Sequence, residues 1–71
     1  MKTIAIHTEF IKLQDLLKLA SAVGSGGEAK ERIQSGEARV GGEVCTQRGK
    51  KLRPGDSVSF AGETYTVIHA D

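Results

Sequence analysis

The sequence predicts a single α+β domain, and two observations carry that assignment. Leu13, Leu16, Leu17 and Ala20 recur at helical spacing, and a second helical segment opens at Ser25 with a capping signal. After Gly36 the apolar period drops to two, with Val40, Val44, Val58, Phe60, Tyr65 and Val67 set among glycine turns. The 71 residues leave room for one core and no second one, so the domain spans 1–71. A chain this short buries only about 60% of the surface its unfolded form exposes, and its stability is expected to be marginal.

Taken in order, residues 2–7 place Ile4 and Ile6 among smaller or polar residues, a strand signal. Phe10 and Ile11 form an apolar lead-in to the first helix, with Phe10 and Phe60 both assigned to the core. That helix is predicted to run to about Ala22, with Gly24 as its left-handed stop. Ser25 followed three residues later by Glu28 matches a capping box, in which the serine accepts from the Glu28 amide and the glutamate reaches back to the serine amide. The second helix then runs from Gly26 to about Ser35 and buries Ala29 and Ile33; the small residues Ala20, Gly24 and Ala29 permit a close helix crossing. Gly41-Gly42 suits a two-residue hairpin turn. Residues 46–51 hold no large apolar side chain and are predicted to be an exposed loop. Arg53-Pro54-Gly55-Asp56 reads as a β-turn, Val58 and Phe60 as a strand, and Ala61-Gly62 as a second tight turn before a last strand over 63–69.

Composition excludes several function classes. No apolar run approaches the ~20 residues of a membrane span, and Ile4-Ala5-Ile6 is too short for a signal-peptide core. A single cysteine, Cys45, argues against a disulfide framework and for a reducing, cytoplasmic setting. His7, Cys45 and His69 lack zinc-ligand spacing, so no metal is expected. No nucleophile–base pattern is visible, and neither catalysis nor a cofactor is expected. Residues 24–29 formally match the dinucleotide fingerprint G-x-G-x-x-A, but a helical period precedes the glycines and no parallel crossover fits in the remainder. The glycines are read instead as a helix-to-helix turn whose uncovered amides, at Ser25 and Gly26, could in addition hold a phosphate oxygen.

The charge distribution points to function. Residues 30–53 carry seven basic side chains, Lys30, Arg32, Arg39, Arg48, Lys50, Lys51 and Arg53, against three acids. The remaining residues carry three basic side chains against six acids, so a basic platform sits in an otherwise slightly acidic chain. Surfaces serving solubility alone intersperse the two signs. With no tryptophan and only three other aromatic residues, base stacking is disfavoured, and phosphate contacts to a folded or double-stranded nucleic acid are favoured.

Leu13-x-x-Leu16-Leu17-Lys18, Ser25-x-x-Glu28-Ala29-Lys30-x-x-Ile33, Gly36-x-x-x-Val40-x-Gly42 and Lys51-Leu52-x-Pro54-Gly55-Asp56 follow one another in an order and spacing that resembles the S-four RNA-binding domain, the αL motif of ribosomal small-subunit protein four. The likeness covers residues 11–60, with strands 2–7 and 63–69 flanking it. Ser-Gly-Gly-x-Ala-Lys together with Arg-Gly-Lys-Lys-Leu resembles most closely the small stand-alone bacterial proteins of the YbcJ/YaaA type. The resemblance implies two short helices packed on a small antiparallel sheet, with RNA bound across the helices and the following loop. By position it puts Lys12 and Lys18 on the RNA side of the first helix, Lys30 on the second and Arg39 on the first hairpin strand, with Arg48, Lys50 and Lys51 lining the loop. Two positions depart from the pattern: Gly26 stands where many members have arginine, and Gly41 where an asparagine is usual.

The expected function is therefore non-enzymatic binding of structured RNA, with ribosomal RNA, a ribosomal subunit or assembly factors as partners. The alternative is an adaptor whose basic loop docks on an acidic ribosomal or RNA-processing protein.

Overall fold

The computed structural model describes residues 1–70 and contains two helices and two sheets. The strands are β1 (Lys2–Ile6), β2 (Ile11–Lys12), β3 (Ala38–Val40), β4 (Glu43–Val44), β5 (Lys51–Leu52), β6 (Ser57–Phe60) and β7 (Glu63–His69). The helices are α1 (Leu13–Leu19) and α2 (Gly26–Gln34). The main sheet has the order β1-β7-β6-β3-β4, and β2 pairs with β5 in a separate two-stranded ribbon.

The sheet is mixed. β3–β4, β3–β6 and β6–β7 are antiparallel, as the glycine turns demand, whereas β1 lies parallel to β7 with Ile4 opposite Val67. These two strands come from opposite ends of the chain, so the whole intervening domain is their crossover. A parallel pair thus exists where the sequence suggested none, but no helix N-terminus joins two neighbouring parallel strands and the dinucleotide reading stays excluded. Gly41 and Gly42 take φ of 60° and 88°, and Ala61 and Gly62 take 51° and 81°, the paired left-handed geometry of two-residue hairpins.

The core forms where one face of the sheet meets both helices. Leu13, Leu16 and Leu17 of α1 and Ala29 and Ile33 of α2 pack with Ala38, Val58, Phe60, Tyr65 and Val67 of the sheet and with Leu52 of β5. No polar or charged residue is buried among the described residues. Phe10, assigned to the core from sequence, is only half-buried.

The helix boundaries differ from the sequence expectation in two instructive ways. α1 stops at Leu19, and the left-handed residue is Ser21 (φ 58°) rather than Gly24. The amides of Ala22 and Val23 turn back to the Leu17 carbonyl, at 2.9 and 3.4 Å, which drives Val23 into the core. Burying Val23 outweighs the modest strain of a left-handed serine. At α2, Ser25 Oγ accepts from the Glu28 amide at 3.2 Å as a cap should. The Glu28 carboxylate, however, accepts from the Gly24 amide at 2.8 Å, one residue before the serine amide.

Candidate nucleic-acid interface

α1 has no side-chain cap: Lys12 occupies the N-cap position and makes no capping hydrogen bond. The amides at its start need acceptors all the same. They find them in the basic loop, since Leu13 N donates to the Lys50 carbonyl at 2.9 Å and Gln14 N to the Arg48 carbonyl at 3.0 Å. The loop expected over 46–51 is therefore fastened to the helix start by its own backbone, and its last residue, Lys51, is already in β5. Leu52, next along, is fully buried and pairs with Ile11. The backbone of 48–52 is thus fixed while the side chains of Arg48, Lys50 and Lys51 stand in solvent.

The β2–β5 register sets Lys12 directly opposite Lys51. Directly opposed like charges on one face of an antiparallel pair destabilise it. Among the described residues no carboxylate lies within 4 Å of the side-chain nitrogens of Lys12, Arg48, Lys50, Lys51 or Arg53. The one local compensation is Phe10, whose ring centroid lies 4.9 Å from Lys51 Nζ, within cation–π range. Sequence reasoning missed Phe10 as a surface platform. Its pairing with Ile11 was the available signal, because Ile11 can cover Leu52 only if Phe10 turns outward.

A second basic group lies at the start of α2. Lys18 Nζ is 4.0 Å from where a Cβ on Gly26 would sit, and it also touches Asp15 Oδ1 at 3.4 Å. A cation next to the positive end of a helix dipole is likewise misplaced for stability. Lys30, one turn after Gly26 on the same helix face, is exposed and without an acidic partner. Along α1, Lys18 lies six residues past Lys12, a rise of about 9 Å. Ser25 is occupied as the cap, and Gly26 leaves open space that only the Lys18 amine borders.

Two predicted residues do not join either group. Arg32 is half-buried: it contacts Glu37 Oε1 through Nη2 and Nε, each at 3.0 Å, and Glu28 Oε2 through Nη1 at 3.4 Å, and it covers the Phe60 ring at 4.5 Å. Its pKa is raised above the usual arginine value, first by the hydrogen bond to Glu37. Arg32 is thus a structural clamp joining α2, the turn after it and the sheet. Arg32→Gln is expected to lower the melting temperature while changing RNA affinity less than about twofold; a large affinity loss with an unchanged melting temperature would restore it to the interface. Arg39 alternates with the inward-facing Ala38, so it lies on the sheet face turned away from the helices, and its guanidinium donates to the Gly42 carbonyl at 3.4 Å. Arg53 flanks Leu52 on the same side as Lys51, its backbone amide held by Asp56 Oδ2 at 2.7 Å and its side chain exposed.

Among the described residues, no three His, Cys, Asp or Glu side chains gather as a metal site, and no helix is long and apolar enough to cross a membrane.

Comparisons with known proteins agree with this fold. The family model of the S4 domain matches residues 4–68. A protein of Escherichia coli (strain K12) named "Putative RNA-binding protein YbcJ" is 41% identical over 58 residues, covering 82% of this chain and 83% of the relative. A Bacillus subtilis (strain 168) protein named "Probable ribosome maturation protein RlbA" is 44% identical over 59 residues, 83% of each chain. The solution structure of YbcJ from E. coli, which reveals an αL motif involved in RNA-binding, superposes with a TM-score of 0.73 at 38% identity, covering 96% of this chain and 87% of that one. With the family model spanning nearly the whole sequence and the fold shared at this identity, the chain belongs to the S4 domain family.

Proposed function

We propose that this protein is a non-enzymatic RNA-binding module that recognises structured RNA, with ribosomal RNA or a ribosome assembly intermediate as its target. The observation that carries the reading is the in-register opposition of Lys12 and Lys51, held by a backbone that leaves them no acidic neighbour. Repulsion retained at a rigid surface is relieved by an external anion, and a phosphate between the two ammonium groups supplies it. Arg48 and Lys50 extend this group along the loop, and Lys18 and Lys30 with the α2 amides offer a second phosphate position across α1. Spacing along a fixed scaffold suits the backbone of a folded RNA, whose phosphates are themselves held in place. The names of the two relatives, one RNA-binding and one of ribosome maturation, support the choice of target.

Filter binding to ribosomal RNA fragments tests this directly. If about four phosphates are engaged, raising salt from about 50 to about 200 mM weakens binding roughly 50- to 150-fold, with slopes of ~0.7 to 0.9 per contact. A salt-independent affinity would overturn the reading, as would partners pulled from extract that survive RNase treatment.

A further inference from the structure

Five of the nine glycines, Gly36, Gly41, Gly42, Gly55 and Gly62, take left-handed φ in turns. Three more, Gly24, Gly26 and Gly27, border the start of α2, where side-chain atoms of Glu28, Lys18 or Ser25 lie within 4.0 Å of the place a Cβ would take. Gly49 shows neither feature: its φ is ordinary, and an added Cβ would meet nothing within 4 Å. Its turn does not demand glycine either. Lys50 N closes on the Gln47 carbonyl at 3.1 Å, Arg48 and Gly49 both lack positive φ, and a turn of this type I form accepts most residues. Glycine loses more freedom on folding than any other residue, so its presence here costs stability that alanine would keep. Flexibility does not explain it, since the Arg48 and Lys50 carbonyls on either side are both bonded to the start of α1.

The peptide plane shows what the bare position faces. The Arg48 carbonyl accepts from Gln14 N at 3.0 Å, and in a planar trans peptide the N–H of the next residue points the opposite way. Gly49 N–H is therefore aimed away from α1, and it has no hydrogen-bond acceptor among the described residues. The exposed side chains of Arg48 and Lys50 flank it, neither with a carboxylate within 4 Å among those residues. A free N–H donor between two cations, on a surface without a Cβ, fits an anion that comes down onto the main chain. We infer that Gly49 is a further contact of the bound RNA: a phosphate oxygen accepts from its N–H, between Arg48 and Lys50, and the absent Cβ admits the nucleotide backbone that closely.

This inference rests on the RNA-binding reading, and its test separates the two. Gly49→Ala keeps every charge and the free N–H but places a methyl group beside the contact. Filter binding to ribosomal RNA fragments and thermal melting are run on the wild type and the variant. Gly49→Ala is expected to melt at the wild-type temperature or higher and to bind roughly 10- to 150-fold more weakly, the range of one hydrogen bond to a charged group. The loss should be the same factor at about 50 and about 200 mM salt, because no cation is removed, whereas Lys50→Ser should reduce the salt dependence itself. Unchanged affinity in Gly49→Ala overturns the contact and leaves the RNA-binding reading standing. A lower melting temperature also overturns it, since the glycine would then serve the fold. No RNA retained by the wild type overturns the RNA-binding reading and the contact with it.

Discussion

Replacing Arg48, Lys50 and Lys51 together with serine is expected to remove most RNA binding while the domain stays folded. The two halves of this expectation rest on different atoms. The side chains are exposed and carry three of the cations assigned to phosphate. The fold depends on the backbone carbonyls of Arg48 and Lys50, which cap α1, and serine keeps both. Removing Lys51 gives up its contact with Phe10 but also ends its repulsion of Lys12, so the two changes oppose one another. A net stability change within about 0.5 kcal/mol follows for exposed positions of this kind. With three of about four phosphate contacts gone, the salt dependence between about 50 and about 200 mM should shrink to roughly threefold. Unfolding melts and salt titrations on the same preparations check both halves. Unchanged affinity in a folded variant would place the RNA elsewhere.

What could be read from the sequence was what short-range chemistry dictates. The Gly41-Gly42 hairpin, the Ser25 cap and the turn over Arg53–Asp56 are each specified within four residues, and each is present. The features that escaped are those in which a distant contact decides. Ser21 becomes left-handed because Val23 has a core to enter, which no local pattern announces. The β2–β5 ribbon joins two-residue strands forty residues apart in sequence, too short to show any period.

Arg32 illustrates the same division at the site. Its partner Glu28 is four residues away and visible as a helical pair, but Glu37 lies past the helix end and Phe60 on another strand. Counting charge placed Arg32 on the basic platform; packing withdrew it. Conversely, counting charge could not separate Lys12 and Lys51 from other solvated lysines, and the register that opposes them became visible only in three dimensions. Charge counting thus points to the loop as the basic surface, and the fold separates the loop cations that stand in solvent from Arg32, which is already paired.

The largest stability effect with a functional consequence is expected at Leu52. It is fully buried and is the sole apolar anchor in the stretch 46–53, whose other residues are all exposed. Leu52→Ala removes buried methyl groups and leaves a cavity, a change that costs about 2–5 kcal/mol. At roughly 0.05–0.15 kcal/mol per residue the whole domain holds about 4–11 kcal/mol, so one deletion takes a large share of it. Urea unfolding should show the midpoint falling accordingly, and a cost below about 1 kcal/mol would mean that Leu52 does not hold the loop. The functional part needs a comparison with Val67→Ala, an equally buried position on β7 that belongs to the main sheet rather than to the β2–β5 ribbon and whose backbone bonds to Gly55 and Asp56 the substitution keeps. Both variants lose stability, but in the cold, where folded protein remains, only Leu52→Ala should also weaken RNA binding per folded molecule. The reason is geometric: without Leu52 the β2–β5 ribbon loses the contact that holds Lys51 against Lys12, and a cation on a free loop must be ordered again each time it meets a phosphate. Equal affinity per folded molecule in the two variants would show that the basic loop binds RNA as a flexible chain, independent of the scaffold that fixes it here.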